Sequence, residues 1–173
     1  MEIWDSYDKN GVKMAQDLIR GEPIPAGLYH AVSEVLLVHQ DKTVLMMRRD
    51  LVKEPYPGYE EASAGGSLLK GESFRDGALR ELREECGIHQ IDGMESYART
   101  RTGKTIYTGF LVRTSQSKDS VLLQEGETIA YRWVSWEDFV RFIKSDQAMP
   151  GQQKRLVPNL GKLESMLRSM KTR

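Results

Sequence analysis

The segment from Gly66 to Ile88, GSLLKGESFRDGALRELREECGI, constrains this chain more than any other. A glycine-bounded loop, Gly66–Gly71, leads into a helix expected over Ser73 to Cys86, and Gly87 stands where a helix C′ glycine belongs. Phe74, Ala78, Leu82 and Cys86 recur every four residues with Leu79 beside them, which makes one apolar stripe of an amphipathic helix. Glu81, Glu84 and Glu85 fall elsewhere on the same helix. At about 100° per residue, Glu84 and Glu85 lie about 60° and 40° to either side of Glu81, so three carboxylates share one patch. Like charges this close repel, and in a partly closed site they need a cation. Hard carboxylate oxygens that leave room for water and phosphate suit Mg²⁺ or Mn²⁺. Acidic helix faces are common on solvated surfaces, so the glutamates alone do not define a site. Two neighbours argue for one. Arg80 can hold a carboxylate in a two-pronged fork, and the flanking glycines set the backbone at both ends.

Around this segment the chain reads as mixed α/β. Asp8-Lys9-Asn10-Gly11 is a turn between short strands expected at Glu2–Tyr7 and Gly11–Ala15. His30–Val38 and Thr43–Arg49 read as a strand hairpin, followed by a polar loop from Asp50 to Glu61. Further strands are expected at Ser96–Thr100, Lys104–Arg113 and Thr128–Val134. A helix capped by Ser135 runs to about Lys144, and a last one spans Leu160–Met170 with Leu160, Leu163, Met166, Leu167 and Met170 on one face.

Composition narrows the function class. The 173 residues suffice for one domain. Lys plus Arg number 25 and so do Asp plus Glu; a formal charge of zero excludes a nucleic-acid binder that works through bulk positive charge. No apolar run approaches the length of a membrane span, and the start, MEIWDSYDKNG, is unlike a secretion signal. The single cysteine, Cys86, lies on the apolar stripe and fits a reducing cytoplasm. Gly66–Gly71 has the spacing of a nucleotide-binding P-loop, but Glu72 stands where that loop requires Lys. Arg48 and Arg49, at a strand end, are candidates for contacting substrate.

The pattern Gly66, five residues, Glu72, seven residues, Arg80-Glu81-Leu82, one residue, Glu84-Glu85, one residue, Gly87-Ile88 resembles the Nudix box, with every defined position filled. The resemblance implies an α/β/α sandwich with a mixed β-sheet and the box as a loop–helix–loop. It implies a hydrolase that cleaves a diphosphate linkage in a nucleoside diphosphate derivative or related organic diphosphate, with Mg²⁺ or Mn²⁺. By position, Glu81 and Glu85 resemble the main metal ligands, with Glu84 a third ligand or a residue that positions water. Glu72 and Arg80 resemble braces of the box, and Gly66 and Gly87 its backbone pivots. A further carboxylate often comes from a distant loop in this family; Glu127 and Glu125, before Trp133, lie in the right region. The domain is expected over 29–145, with an N-terminal hairpin and connector over 1–28 and a C-terminal helical extension over 146–173. The implied partner is a small-molecule diphosphate, with neither a nucleic-acid polymer nor a membrane, and homodimers are common in the family.

The flanks WDSYDKNG, GEPIPAGLYHAV and MMRRDLVKEPYPG are similar to the isopentenyl-diphosphate-isomerase-like branch, which holds both isomerases and hydrolases. The isomerases carry Cys-Gly-His before the box, where this chain has Gly65-Gly66-Ser67. A hydrolase is therefore expected rather than an isomerase. A catalytically silent binding module would have lost box glutamates, and none is missing.

Overall fold

The computed structural model describes residues 1–169. In chain order its strands and helices are β1 (Ile3–Tyr7), β2 (Lys13–Ile19), β3 (His30–His39), β4 (Val44–Arg49), β5 (Glu60–Ala62), β6 (Ala64–Ser67), α1 (Phe74–Cys86), β7 (Gly93–Thr102), β8 (Thr105–Thr114), β9 (Thr128–Val134), α2 (Trp136–Ile143), α3 (Pro150–Leu156) and α4 (Leu160–Ser169). β1 and β2 form an antiparallel hairpin; the other seven strands form one mixed sheet. No helix among the described residues is long and apolar enough to cross a membrane.

β3 is the centre of that sheet. It runs parallel to β8 over ten positions, from His30↔Thr105 to His39↔Thr114. On its other edge it takes β6, from Val32↔Ser67 to Val35↔Ala64. Because successive residues of β3 point to opposite faces, its VLLV run feeds two cores. Val35 and Leu37 join Leu45, Met47, Phe110 and Val112 beneath Ala78, Leu82, Cys86 and Ile88 of the box. Leu36 and Val38 join Val44, Met46 and Leu111 on the opposite face, against Phe139 and Ile143 of α2, Leu156 of α3 and Leu163 and Leu167 of α4. The result is the expected α/β/α sandwich, with α1 alone over one face and the C-terminal helices over the other.

Several local expectations need correction. β3 and β4 are not a continuous hairpin: they pair only at Val38↔Val44 before β4 turns away to β9 and β5. Ser63 fills the gap. Its Oγ accepts from the Leu37 amide at 2.7 Å and donates to the Leu45 carbonyl at 3.1 Å, which satisfies two groups orphaned by the split. The residue is buried and sits at φ 46°, in the left-handed region. The second strand of the N-terminal hairpin runs over Lys13–Ile19, later than expected, because pairing with β1 sets it rather than a buried face; its residues from Lys13 to Asp17 are exposed. β6 occupies what reads in sequence as the start of the glycine loop. The helix α3 was not anticipated, although Pro150 at its first turn is a start signal. Met170, assigned to the last helix, lies outside the described residues.

The N-terminal hairpin is stitched to the domain. Tyr7 and Tyr29 exchange backbone hydrogen bonds, both 2.9 Å. The amide of Lys70 donates to the Ile3 carbonyl at 2.9 Å, and that of Gly71 to the buried carboxylate of Asp5 at 2.8 Å. The loop that leads into α1 is thereby held from outside the sheet. A Ser63→Ala variant, which leaves the buried Leu37 amide without a partner, should lose about 1–3 kcal/mol of stability in urea unfolding. An unchanged unfolding midpoint would remove Ser63 from this role.

Candidate active site

The box helix begins and ends as its sequence dictates. Ser73 caps it, its Oγ accepting from the Asp76 amide while the Asp76 carboxylate accepts from the Ser73 amide. At the other end Gly87 adopts φ 65°, and the amides of Gly87 and Ile88 close on the carbonyls of Arg83 and Leu82. Gly66 is required for a different reason: a Cβ there would stand 2.2 Å from Oε1 of Glu81. The strand β6 passes directly against the carboxylate, so a side chain at this position would push Glu81 from its contact with Arg80.

Arg80 organises the acidic face. Its Nε and Nη2 donate to the two oxygens of Glu72 at 2.7 and 3.0 Å. Nη2 also donates to the Ser67 carbonyl at 3.0 Å, while Nη1 donates to Glu81 at 2.7 Å and Glu84 at 3.0 Å. These five bonds use all five N–H donors of the guanidinium. Glu72 also accepts from the Leu69 amide at 2.9 Å. Burial opposes its ionisation, but the Arg80 and Leu69 hydrogen bonds outweigh this and hold the carboxyl below its usual range.

The three box glutamates are not equivalent. Glu84 is at the rim, half exposed. Glu81 is buried, and burial raises its pKa despite the Arg80 contact. Glu85 accepts from the Gly65 amide at 3.1 Å. Its carboxyl is pushed up to about 8, chiefly by burial and then by the charges of Glu81 and Glu61. Glu127 joins this group from the loop before β9, and its charge acts on both Glu85 and Glu61. It lines an open cavity of about 380 Å³ together with Glu81, Glu84, Glu85, Gly65 and Gly66, a volume within the ordinary range for small-ligand sites. Glu125, the alternative from the same loop, is exposed and does not line it.

Two participants escaped sequence reasoning. Glu61 was assigned to a polar loop, but it sits in β5, opposite Met47 of β4. Burial raises its pKa, against the pull of Arg49, whose Nη1 lies 3.1 Å away. No local signal marks it, because strand register alone brings it to Glu85. The second, Lys53, lines the cavity and forms a close ion pair with Glu127. Arg48 and Arg49 are not brought into the cavity wall. Arg48 donates to the Gly58 carbonyl, and Arg49 is engaged by Glu61 and the carbonyls of Pro55 and Tyr56. Cys86 is fully buried among apolar residues, and burial raises its thiol pKa.

Among the described residues, no group of three or more His, Cys, Asp or Glu side chains is already arranged to hold a metal ion. Glu81 and Glu127 are each held by a cation of the chain, Arg80 and Lys53. The donor set nevertheless fits a hard divalent cation. It is all oxygen and mutually repelling, and burial raises the carboxyls of Glu81 and Glu85, so a cation in the cavity would relieve it.

Residues 28–160 match the NUDIX domain. The chain belongs to the Nudix hydrolase family. It is 39% identical over 154 residues to an uncharacterized Nudix hydrolase of Listeria innocua, an alignment covering 87% of this chain and 89% of the relative. A second, from Listeria monocytogenes, is 32% identical over 155 residues with the same coverage. Among solved structures, a Deinococcus radiodurans protein superposes with a TM-score of 0.73 at 18% identity, over 91% of this chain and 98% of that one, a likeness of fold. Gly66–Ile88, the segment that resembles the Nudix box, lies within the matched residues, and the chain is a hydrolase of the class that acts on pyrophosphate bonds.

The raised pKa of Glu85 has a definite consequence for the metal-free Nudix protein. A carboxyl whose folded pKa lies above its unfolded value of 4.5 contributes stability that is complete below 4.5 and is lost as pH rises through about 8. In EDTA, the melting temperature should fall across this window. Glu85→Gln, which cannot ionise, should be the more stable protein at pH 8 and show a flatter profile by differential scanning fluorimetry. Parallel profiles for the two proteins would contradict the assignment.

Proposed function

We propose that this Nudix hydrolase cleaves the diphosphate linkage of a nucleoside diphosphate derivative or related organic diphosphate, and that it does so with Mg²⁺ or Mn²⁺. One observation carries the reading. The box carboxylates meet Glu127 in a cavity where the carboxyl of Glu85 is pushed up to about 8, chiefly by burial and then by the charges of Glu81 and Glu61. A diphosphate is rich in negative charge, so a site this acidic binds it only when a cation is present. Glu81, Glu85 and Glu127 would hold that ion, with Glu61 contributing charge next to Glu85. Once bound, the ion neutralises the diphosphate, polarises phosphorus and lowers the pKa of water.

The chain's own groups do the rest. Arg80 fixes Glu81 and Glu84 at the ends of one guanidinium nitrogen, so that Glu84 at the rim can accept a hydrogen bond from a water in the cavity. The Gly65 amide orients one oxygen of Glu85 and leaves the other free. Gly65 and Gly66 keep β6 flush with the cavity floor, so that phosphate oxygens can approach the carboxylates without meeting a side chain. One water is consumed and one P–O bond of the anhydride breaks, giving two phosphate-bearing products and releasing a proton. Glu85→Gln should therefore lower kcat by at least about 10²-fold while leaving the fold intact. EDTA should abolish hydrolysis of a panel of organic diphosphates, and added Mg²⁺ or Mn²⁺ should restore it. Turnover that persists with metal shown absent would sink the reading.

The geometry disfavours the isomerase chemistry of similar proteins. That reaction needs an acid and a base on opposite sides of an alkene. At Gly65, the position of the isomerase cysteine, a Cβ would stand 2.8 Å from the backbone oxygen of Ser33, so no side chain fits there. The chain's lone thiol, Cys86, is in the core. Isopentenyl diphosphate incubated with Mg²⁺ and the protein should show no dimethylallyl product by NMR; its steady formation would favour the isomerase.

A further inference from the structure

Three cations line the cavity, and each has a different engagement. Arg80 is saturated by the box, and Arg20 pairs with Glu2 at 2.8 Å. Lys53 is spent on Glu127, the candidate metal ligand that comes from outside the box. This contact is built rather than incidental. The amide of Asp50 donates to the carbonyl of Glu127 itself at 2.8 Å. The Asp50 side chain then accepts from the Val52 amide at 3.1 Å, and the Lys53 amide returns to the Asp50 carbonyl at 3.2 Å. A tight turn pinned to the backbone of Glu127 thus presents the ammonium to that residue's carboxylate. Both side chains are largely shielded, at 24% and 32% exposure, so their pairing is screened less than an ordinary surface pair. The positive charge of Lys53 also reaches Glu61.

We infer that Lys53 is an internal counter-ion, occupying Glu127 in place of the divalent metal and exchanging with it when the ion loads. This rests on the proposed metal-dependent reading of the site. Oε2 of Glu127 cannot serve an ammonium in close contact and a dication at once without bringing two positive charges together. In the metal-free protein Lys53 moderates the repulsion among Glu61, Glu85 and Glu127. During loading the same charge opposes the ion. As a positioning residue, Lys53 therefore affects apo stability and metal affinity in opposite directions, whereas a residue that only supported the fold would, when removed, weaken both.

The test is binding of Mn²⁺ alone, by isothermal titration calorimetry, to Lys53→Met, Arg20→Met, Glu127→Gln and the Lys53→Met/Glu127→Gln double variant. Lys53→Met should bind Mn²⁺ at least about tenfold more tightly than wild type, since a shielded ion pair has been removed from competition, while its metal-free form melts at a lower temperature. Arg20→Met, which removes a cation of the same cavity that does not touch Glu127, should change affinity by less than about threefold, because exposed charges couple weakly. In the Glu127→Gln background the gain from Lys53→Met should vanish. Unchanged or weaker binding by Lys53→Met overturns the inference, as does an equal gain from Arg20→Met or a gain that survives Glu127→Gln. If Lys53→Met does not fold, wild-type protein carrying ¹³C-methylated lysines serves instead. The Lys53 methyl signal should shift as Mg²⁺ saturates the site, and a static signal overturns the inference. Failure of wild type to bind Mn²⁺ would overturn the metal-dependent reading with it, whereas normal wild-type binding without the Lys53→Met gain overturns only the counter-ion.

Discussion

The guanidinium of Arg80 is the contact on which the site depends. Carboxylates on adjacent turns of one helix repel, and burying some of them raises the cost. Arg80 lies beside Glu81 in sequence and one turn from Glu84, so it can neutralise both through a single nitrogen. Its remaining donors reach across to Glu72 and to the Ser67 carbonyl, which ties the helix to the loop before it and to the end of β6. Charge compensation and backbone placement are therefore one interaction. A lysine could meet the charge but not the geometry, because an ammonium has three donors and no planar fork.

The site also shows how a fold can carry an unfavourable cluster. Glu85 lies beyond the reach of Arg80, and a single backbone amide is its hydrogen-bond partner. Its neighbours Glu81 and Glu61 add to the effect of burial instead of offsetting it. The cost is borne by the two cores on either side of the sheet, with Leu37, Leu45, Met47 and Leu82 fully buried on the α1 side. A rigid apolar base under α1 holds the carboxylates together against their repulsion.

Sequence reasoning succeeded where function is encoded by spacing along one element and stopped where it is assembled across strands. The box was readable because a helix converts the intervals between Arg80, Glu81, Glu84 and Glu85 into neighbours on one face. The buried position of Cys86 followed from the same periodicity. Glu127 could be placed in a region but not chosen over Glu125, since the turn at Gly126 decides which of the two lines the cavity, and Gly126 sits at φ 76°. Glu61 and Lys53 were invisible for a stronger reason. Glu61 reaches Glu85 through the register of β5 on β4, and Lys53 reaches Glu127 through a turn fastened to residues more than 70 positions away. The divergence of β3 from β4 was equally hidden, because it turns on Ser63, a residue with no periodic context of its own.

The parallel pairing of β3 with β8 has a consequence for how the chain reaches this state. Each matched pair, from His30↔Thr105 to His39↔Thr114, is separated by 75 positions, and the whole box lies inside the loop that the pairing closes. Closing such a loop costs conformational entropy before its contacts are gained, and topologies rich in these pairings fold slowly for their size. The local units inside the loop, α1 with its caps and β6 against β3, can form beforehand and shorten the effective span. The box carboxylates of the acidic cavity thus lie on the same segment whose local order would ease the hardest step in joining the ends of the sheet.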